Sequence, residues 1–186
     1  MTVHGRYSGI LREDLGYLNT AGRPATVFHR ANLPRVGLDD VAAAASGVML
    51  STPISLDAGD LITSLTFISG ATAAGTPTNY WFALYGPDGA LLAQTADQTS
   101  TAWAADTVKT LALATAQRIT RTGTHYAAIS VTATTVPTLV GTVGARPVLS
   151  GEGNLSQTSG SSLTATAPAT IASPAFKRQV PLVIAS

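Results

Sequence analysis

The sequence predicts an all-β protein, with a single β-sandwich or jelly-roll domain over residues 46–186 and an extended arm over residues 1–45. Two observations carry this prediction. Up to Val143, short alternations of apolar and polar residues recur at regular spacing between Gly, Pro and Asp turns, as is typical of sandwiches and jelly rolls. The first 45 residues sustain no period, and Pro24 and Pro34 interrupt them.

The arm carries isolated bulky side chains set between arginines. Such a segment cannot bury its own apolar groups, and a guanidinium binds carboxylates and carbonyls through a fork of donors. We therefore predict that the arm anchors to neighbouring subunits, the alternatives being a disordered tail or a leading strand of the domain. Its predicted contact residues are Tyr7, Arg12, Tyr17, Arg23, Phe28, Arg30, Leu33 and Arg35. At its end, Asp39 is expected to cap one helical turn.

The first strands of the domain alternate on either side of an Asp-Gly turn. Residues 48–51 and 54–56 flank Pro53, and residues 61–69 follow the turn at residues 57–60. One face of this second strand is predicted to carry Leu61, Thr63, Leu65 and Phe67.

The most aromatic run, residues 80–85, is predicted to be a central strand. It ends at Gly-Pro-Asp-Gly, residues 86–89, where Pro presets one φ angle and Gly accepts a positive one. Residues 90–95 are then its hairpin partner. Three further strands are predicted over residues 107–113, 124–132 and 138–143.

The C-terminal part is poorer in large apolar residues. Residues 151–172 are rich in Ser, Thr, Gly and Ala, and predict an exposed loop or weak hairpin. Residues 174–186 predict a final strand at a sheet edge, where Pro181 is tolerated.

Composition narrows the function classes. Charged residues make up 11% of the 186 residues, against roughly 25% in an ordinary soluble domain, which predicts a surface covered by Thr and Ser or buried against other subunits. The net charge of +1 gives no reason to expect a nucleic-acid partner. No segment predicts a membrane span, and the first residues lack the apolar core of a signal peptide, so a soluble chain without an obvious export signal is expected.

No pattern in the chain predicts catalysis, a metal or a cofactor, so a non-enzymatic role is expected. There is no cysteine, no Gly-x-Ser-x-Gly, no phosphate-binding loop and no paired histidines at metal-ligand spacing. The histidines are expected to be solvated or at interfaces; they are His4, His29 and His125. The loop aspartates predict turns rather than a calcium site; they are Asp57, Asp60, Asp97 and Asp106.

The two tryptophans differ in context. Trp81 lies within the aromatic strand and is predicted to be core. Trp103 lies in a connecting segment and is the better candidate for a surface contact, either stacking on a sugar or meeting another subunit, with packing in the domain as the alternative.

Four stretches resemble a module of virion proteins from tailed bacteriophages that infect actinobacteria. They are LDAGDLITSLTFISG at 56–70, TPTNYWFALY at 76–85, QTADQTSTAWAA at 94–105 and VKTLALAT at 108–115. The resemblance spans about half of the chain and implies a structural role in a decoration, head-fibre or tail component. It brings no catalytic residues with it.

Together these features predict a virion protein, most simply an oligomeric capsid decoration protein. A trimer of sandwiches would lie on the outer shell, with the arm laid across the major capsid protein. The alternative is a tail or fibre component whose sandwich binds carbohydrate during host recognition. A bacterial extracellular binding module is a third possibility, disfavoured by the missing signal peptide.

Overall fold

A computed structural model describes residues 28–186, and the predicted contacts Tyr7, Arg12, Tyr17 and Arg23 lie outside this range. Within it the chain forms β-strands and no α-helix, which confirms the all-β class. The strands are β1 (Arg30–Ala31), β2 (Asp39–Val41), β3 (Met49–Leu56), β4 (Leu61–Ile68), β5 (Asn79–Tyr85), β6 (Leu91–Gln94), β7 (Val108–Arg118), β8 (Gly123–Thr132), β9 (Leu139–Val143), β10 (Gln157–Ser159), β11 (Ala175–Phe176), β12 (Gln179–Pro181) and β13 (Ile184–Ala185).

These strands form antiparallel sheets around a shared core, in a sandwich-like arrangement. A six-stranded sheet has the order β11-β10-β3-β8-β5-β6, and a four-stranded sheet has the order β1-β13-β4-β7. A third sheet, β12-β9-β2, has three strands. The jelly-roll connectivity expected from the sequence stays a prediction.

The main core is built from alternate residues of strands in all three sheets. On β5 it takes Tyr80, Phe82 and Leu84, and the Phe82 ring lies 4.7 Å from the ring of Phe67 on β4. Full burial of one such aliphatic or phenyl side chain stabilises the fold by about 1.5–3 kcal/mol. The predicted central strand at residues 80–85 is therefore confirmed as an interior strand, paired with β8 on one side and β6 on the other.

The opposite face of β5 is buried as well. Trp81 and Tyr85 pack with Met49 and Ala128 under a covering segment, which we define as residues 160–171. The Trp81 indole N–H donates to the Thr164 carbonyl at 2.7 Å, and the Tyr85 hydroxyl donates to that of Pro168 at 2.9 Å. Burial raises the pKa of the Tyr85 phenol above its ordinary range, so the hydroxyl stays a donor.

The prediction of an exposed loop or weak hairpin over residues 151–172 is therefore only partly right. Residues 157–159 form β10, which pairs with β3, and the covering segment shields the outer face of the six-stranded sheet. Its residues are mostly small, so its backbone comes close enough to accept hydrogen bonds from the aromatic side chains beneath it.

The Gly-Pro-Asp-Gly turn is confirmed. The Gly86 N–H donates to the Ala90 carbonyl at 2.8 Å, and Gly89 has a φ of +78°, a region that costs glycine little. The strand that follows pairs antiparallel with β5, as the sequence predicted.

The prediction of which β4 side chains share the buried face is wrong for the first half of the strand. Leu61 is 43% exposed, whereas Ile62 and Leu65 are fully buried. The pairing with β7 shifts between Ile62 and Ser64, and the N–H groups of Thr63 and Ser64 both donate to the Ser186 carbonyl. From Ile62↔Gln117 to Ser64↔Ala112 the register advances by two residues on β4 and by five on β7, and the alternation of β4 changes face at this irregularity.

The described part of the predicted arm, residues 28–45, is part of the folded domain. β1 pairs with β13 and β2 pairs with β9, so Asp39 begins a strand rather than capping a helical turn. Val41 and Ala44 are buried in the main core. The domain thus begins at or before β1, earlier than the boundary predicted at residue 46.

The C-terminal residues form three short strands instead of one. β12 is an edge strand of the three-stranded sheet and contains Pro181, as expected for an edge. β13 lies between β1 and β4, inside the four-stranded sheet. The chain changes sheets at Leu182 and Val183, and both of these side chains are buried.

Truncation tests the corrected boundary. A chain starting at Phe28 should keep the unfolding free energy of the full-length protein, whereas one starting at Ser46 should lose at least about 3 kcal/mol. The chain starting at Ser46 loses the burial of Val41. It also loses the hydrogen bonds of the Asn32 side chain, which donates to the Pro181 carbonyl and accepts from the Val183 N–H. Urea unfolding followed by far-ultraviolet circular dichroism measures both; equal stability of the two chains would place β1 and β2 outside the fold.

Replacement of Trp81 tests the second core. Trp81→Ala should lower the unfolding free energy by about 3–5 kcal/mol and should open the covering segment to proteolysis near Thr164. Phe28→Ala is the matched control because Phe28 is partly exposed, and it should cost less than about 1 kcal/mol. A Trp81→Ala effect as small as that of the control would contradict the packing described here.

Candidate interaction surface

Arg30, predicted to be an anchor for a neighbour, binds inside its own domain. Its Nε donates to Asp60 Oδ2 at 2.9 Å, and its Nη2 donates to Asp60 Oδ1 at 3.0 Å and to Asp57 Oδ2 at 3.1 Å. The Arg30 guanidinium also lies 5.0 Å from the centre of the Phe28 ring. The Arg30 N–H groups that were expected to bind a partner therefore hold the turn at residues 57–60 against β1.

The remaining predicted contacts of this segment lie at its surface. Phe28 is partly exposed, Leu33 is half-buried and Arg35 is exposed, the last two in the connection from β1 to β2. The structure brings Phe28 and Arg30 together and does not gather the others into one site.

Trp103 is buried, which corrects the prediction of a surface contact. It is 1% exposed, and its ring lies 5.4 Å from that of Tyr80 and 5.8 Å from that of Phe82. Its indole N–H donates to the Thr107 carbonyl at 3.3 Å. A loop position in the sequence gave no sign of this packing, because the partners lie on β5, more than twenty positions earlier in the chain.

Among the loop aspartates, the predicted turn role is confirmed for Asp60, whereas the Asp57 carboxylate binds Arg30 and Asp97 binds two side chains. The Asp57 N–H donates to Asp60 Oδ2 at 2.9 Å, and Asp97 accepts bonds from Asn79 Nδ2 and the Thr99 hydroxyl. Residues 28–186 contain no group of three or more His, Asp or Glu side chains placed to hold a metal ion. His125 is 3% exposed, so the expectation of a solvated or interface histidine is wrong at this position.

A patch of exposed aliphatic side chains is the surface feature that the sequence analysis missed. Val148 is 84% exposed and Leu149 is 69% exposed, and Val143 and Leu155 are each more than half exposed. We call these four residues the loop patch. Two adjacent aliphatics within the Gly- and Pro-rich run at residues 144–153 were the available signal.

The loop patch has a defined backbone. The Val148 and Leu149 N–H groups donate to Glu152 Oε2 at 2.8 and 3.0 Å, and the Glu152 N–H donates back to the Leu149 carbonyl at 3.3 Å. The bonds from Leu149 and Val148 hold the pKa of Glu152 below its ordinary value. Because the backbone of this loop is hydrogen-bonded, it presents its apolar side chains outward in a fixed geometry.

An open cleft of about 520 Å³ borders the patch at Val143. Arg146 lies over the ring of Phe176 at 4.6 Å, and Arg178 lines the same cleft. Aliphatic, aromatic and guanidinium groups therefore lie side by side, a combination enriched at protein interfaces.

Comparisons with known proteins identify no relative: no family model matches the chain, and no curated protein does. Residues 28–186 also contain no helix long and apolar enough to cross a membrane.

Proposed function

We propose that this chain is a non-enzymatic structural protein of a bacteriophage virion, an oligomeric capsid decoration protein on the outer shell. The observation that supports it best is the loop patch, in which adjacent aliphatic side chains are exposed on a hydrogen-bonded loop. Exposed aliphatic side chains grouped on one loop are typical of sites where other proteins bind. The patch thus becomes the proposed contact with a second copy or with the major capsid protein.

The low charge of the chain supports the same proposal. Only 11% of the residues are charged, and Arg30, Asp57 and Asp60 are engaged with one another. A surface with few charges has a small desolvation cost when it is covered by other subunits. A trimer on the shell would cover such surface repeatedly.

The tail or fibre alternative no longer has a candidate aromatic residue for binding a sugar. That alternative required an exposed aromatic side chain on which a sugar ring could stack, and Trp103 was the residue proposed for it. Both Trp81 and Trp103 are buried, so neither offers a free ring face.

The arm retains its proposed role of attachment, now assigned to the residues before Phe28. Arg30 and β2 are committed to the domain, which leaves Tyr7, Arg12, Tyr17 and Arg23 as the proposed anchors. Ordering an extended segment costs about 1–2 kcal/mol per residue. Several anchors must therefore bind together, and attachment is expected to be cooperative and assisted by oligomerisation.

The copy number of the chain in purified particles tests the decoration role directly. Quantitative mass spectrometry should find this chain in a fixed ratio to the major capsid protein, because a decoration protein occupies every equivalent site of the shell. A few copies per particle would support the tail alternative. Absence from particles would refute a virion role.

Substitution within the loop patch tests its role in attachment. Val148→Asp and Leu149→Asp should each weaken binding to particles that lack this protein by at least about tenfold, because a carboxylate would be desolvated in the contact. Bound copies are counted after incubation of the particles with each variant. Val36→Asp is the matched control, since Val36 is 63% exposed but lies outside the patch. If the patch variants bind as the control does, the contact lies elsewhere.

A further inference from the structure

A pocket of about 370 Å³ opens between the turn at residues 86–89 and the connection from β7 to β8. Apolar groups form part of its wall, and basic side chains line one side. The lining residues that matter here are Asp88, Leu92, Arg118, Ile119, Arg121 and His125.

His125 lies at the end of an inward-facing row on β8. The row continues through Ala127, Ile129 and Val131, which are all part of the main core, so an imidazole occupies the place of an apolar side chain where the core meets the pocket. Its Nδ1 lies 3.2 Å from the Gly123 carbonyl. Since a carbonyl can only accept, Nδ1 carries the proton of this bond and Nε2 is left for the pocket.

The Nε2 atom of His125 has no hydrogen-bond partner within residues 28–186, and it is accessible from the pocket rather than fully buried. With Nδ1 as the donor, Nε2 is an acceptor and can take a hydrogen bond from a hydroxyl group. A ligand that enters the pocket can supply it.

Two arginines line the same pocket as the imidazole. Arg118 donates from Nη1 to the Gly59 carbonyl at 3.1 Å, which orients the guanidinium and leaves its other N–H groups available. Arg121 is exposed and makes no ion pair in the described part of the chain. The fixed fork of N–H donors on a guanidinium matches the oxygens of a phosphate or carboxylate.

The backbone that carries these side chains is tied to the neighbouring turn. The Gly59 N–H donates to the Ile119 carbonyl, and the Ile119 N–H donates to the Asp60 carbonyl, both at 2.8 Å. The Ala58 N–H donates to the Thr122 hydroxyl at 2.9 Å. A wall held in this way loses little further entropy when a ligand binds.

Asp88 is the one carboxylate in the pocket lining. Its Oδ1 accepts the Ala90 N–H at 3.1 Å, so the side chain is turned back to cap its own turn. With Arg118 and Arg121 present, the lining keeps a net positive charge.

We propose that this pocket binds the oxyanion of a small molecule, a phosphate or carboxylate group held by Arg118 and Arg121, while a hydroxyl group of the same ligand donates to His125 Nε2. The apolar side formed by Leu92 and Ile119 takes the uncharged remainder of the ligand. This site is independent of the loop patch and of the decoration role.

Calorimetric titration of the full-length protein with inorganic phosphate, glucuronate and neutral glucose at low ionic strength tests the proposal. Phosphate and glucuronate should bind, and glucose should not. Arg121→Gln should weaken anion binding by about tenfold, the loss of one charge-assisted hydrogen bond. Because Arg121 is exposed, this variant is expected to fold as the parent does. Lys177→Gln removes the same charge outside the pocket and should leave binding unchanged.

Nuclear magnetic resonance locates the site. Saturating phosphate should shift the His125 ring signals in the parent, and the same phosphate concentration should shift them much less in Arg121→Gln. Binding of glucose as tight as that of the anions would overturn the proposal, as would equal anion binding by Arg121→Gln and Lys177→Gln. Anion binding that leaves the His125 signals unchanged would also overturn it, because the anion would then lie elsewhere.

Discussion

The rest of the structure depends on one constraint, the burial of β5 on both faces. A strand of an antiparallel sheet commonly keeps one face in water, but every side chain of β5 from Tyr80 to Tyr85 is buried, and all of them except Ala83 are large. One face needs the four-stranded sheet, and the other needs the covering segment. Residues 160–171 meet the second need although their composition is that of a surface loop, because they contribute carbonyl acceptors to Trp81 and Tyr85 as well as apolar contacts.

Hydrogen bonds connect the N-terminal strand β1 to the wall of the pocket. Arg30 on β1 binds Asp57 and Asp60, and the turn that carries these aspartates binds the backbone at Ile119. The pocket wall is therefore supported from β1 through two successive layers of hydrogen bonds. The sequence predicted Arg30 as an anchor for a partner. Its guanidinium instead helps to fix the position of Arg118, whose own guanidinium donates to the Gly59 carbonyl of that turn.

Local patterns predicted the local structure, and long-range packing decided the rest. The aromatic strand, its Gly-Pro-Asp-Gly turn and the burial of Trp81 could be predicted because the deciding residues are neighbours in sequence. The face of β4 could not, since the irregularity at Thr63 depends on the Ser186 carbonyl. The surroundings of Trp103 and His125 could not be predicted either. Only the pairing of the strands shows that Trp103 packs on Tyr80 and that His125 lines the pocket.

The loop patch and the pocket differ in the kind of specificity they can supply. Burial of Val148 and Leu149 in a contact gains free energy in proportion to the apolar area removed from water, and this gain depends little on the orientation of the partner. Arg121 gains free energy only when an acceptor atom is correctly placed, and His125 Nε2 only when a donor is. In a chain this poor in charge, apolar contact would be the larger source of affinity in the proposed contact with other subunits. The arginines of the pocket are then the groups able to discriminate between ligands, because an anion that does not match the geometry of their N–H groups makes fewer charge-assisted hydrogen bonds.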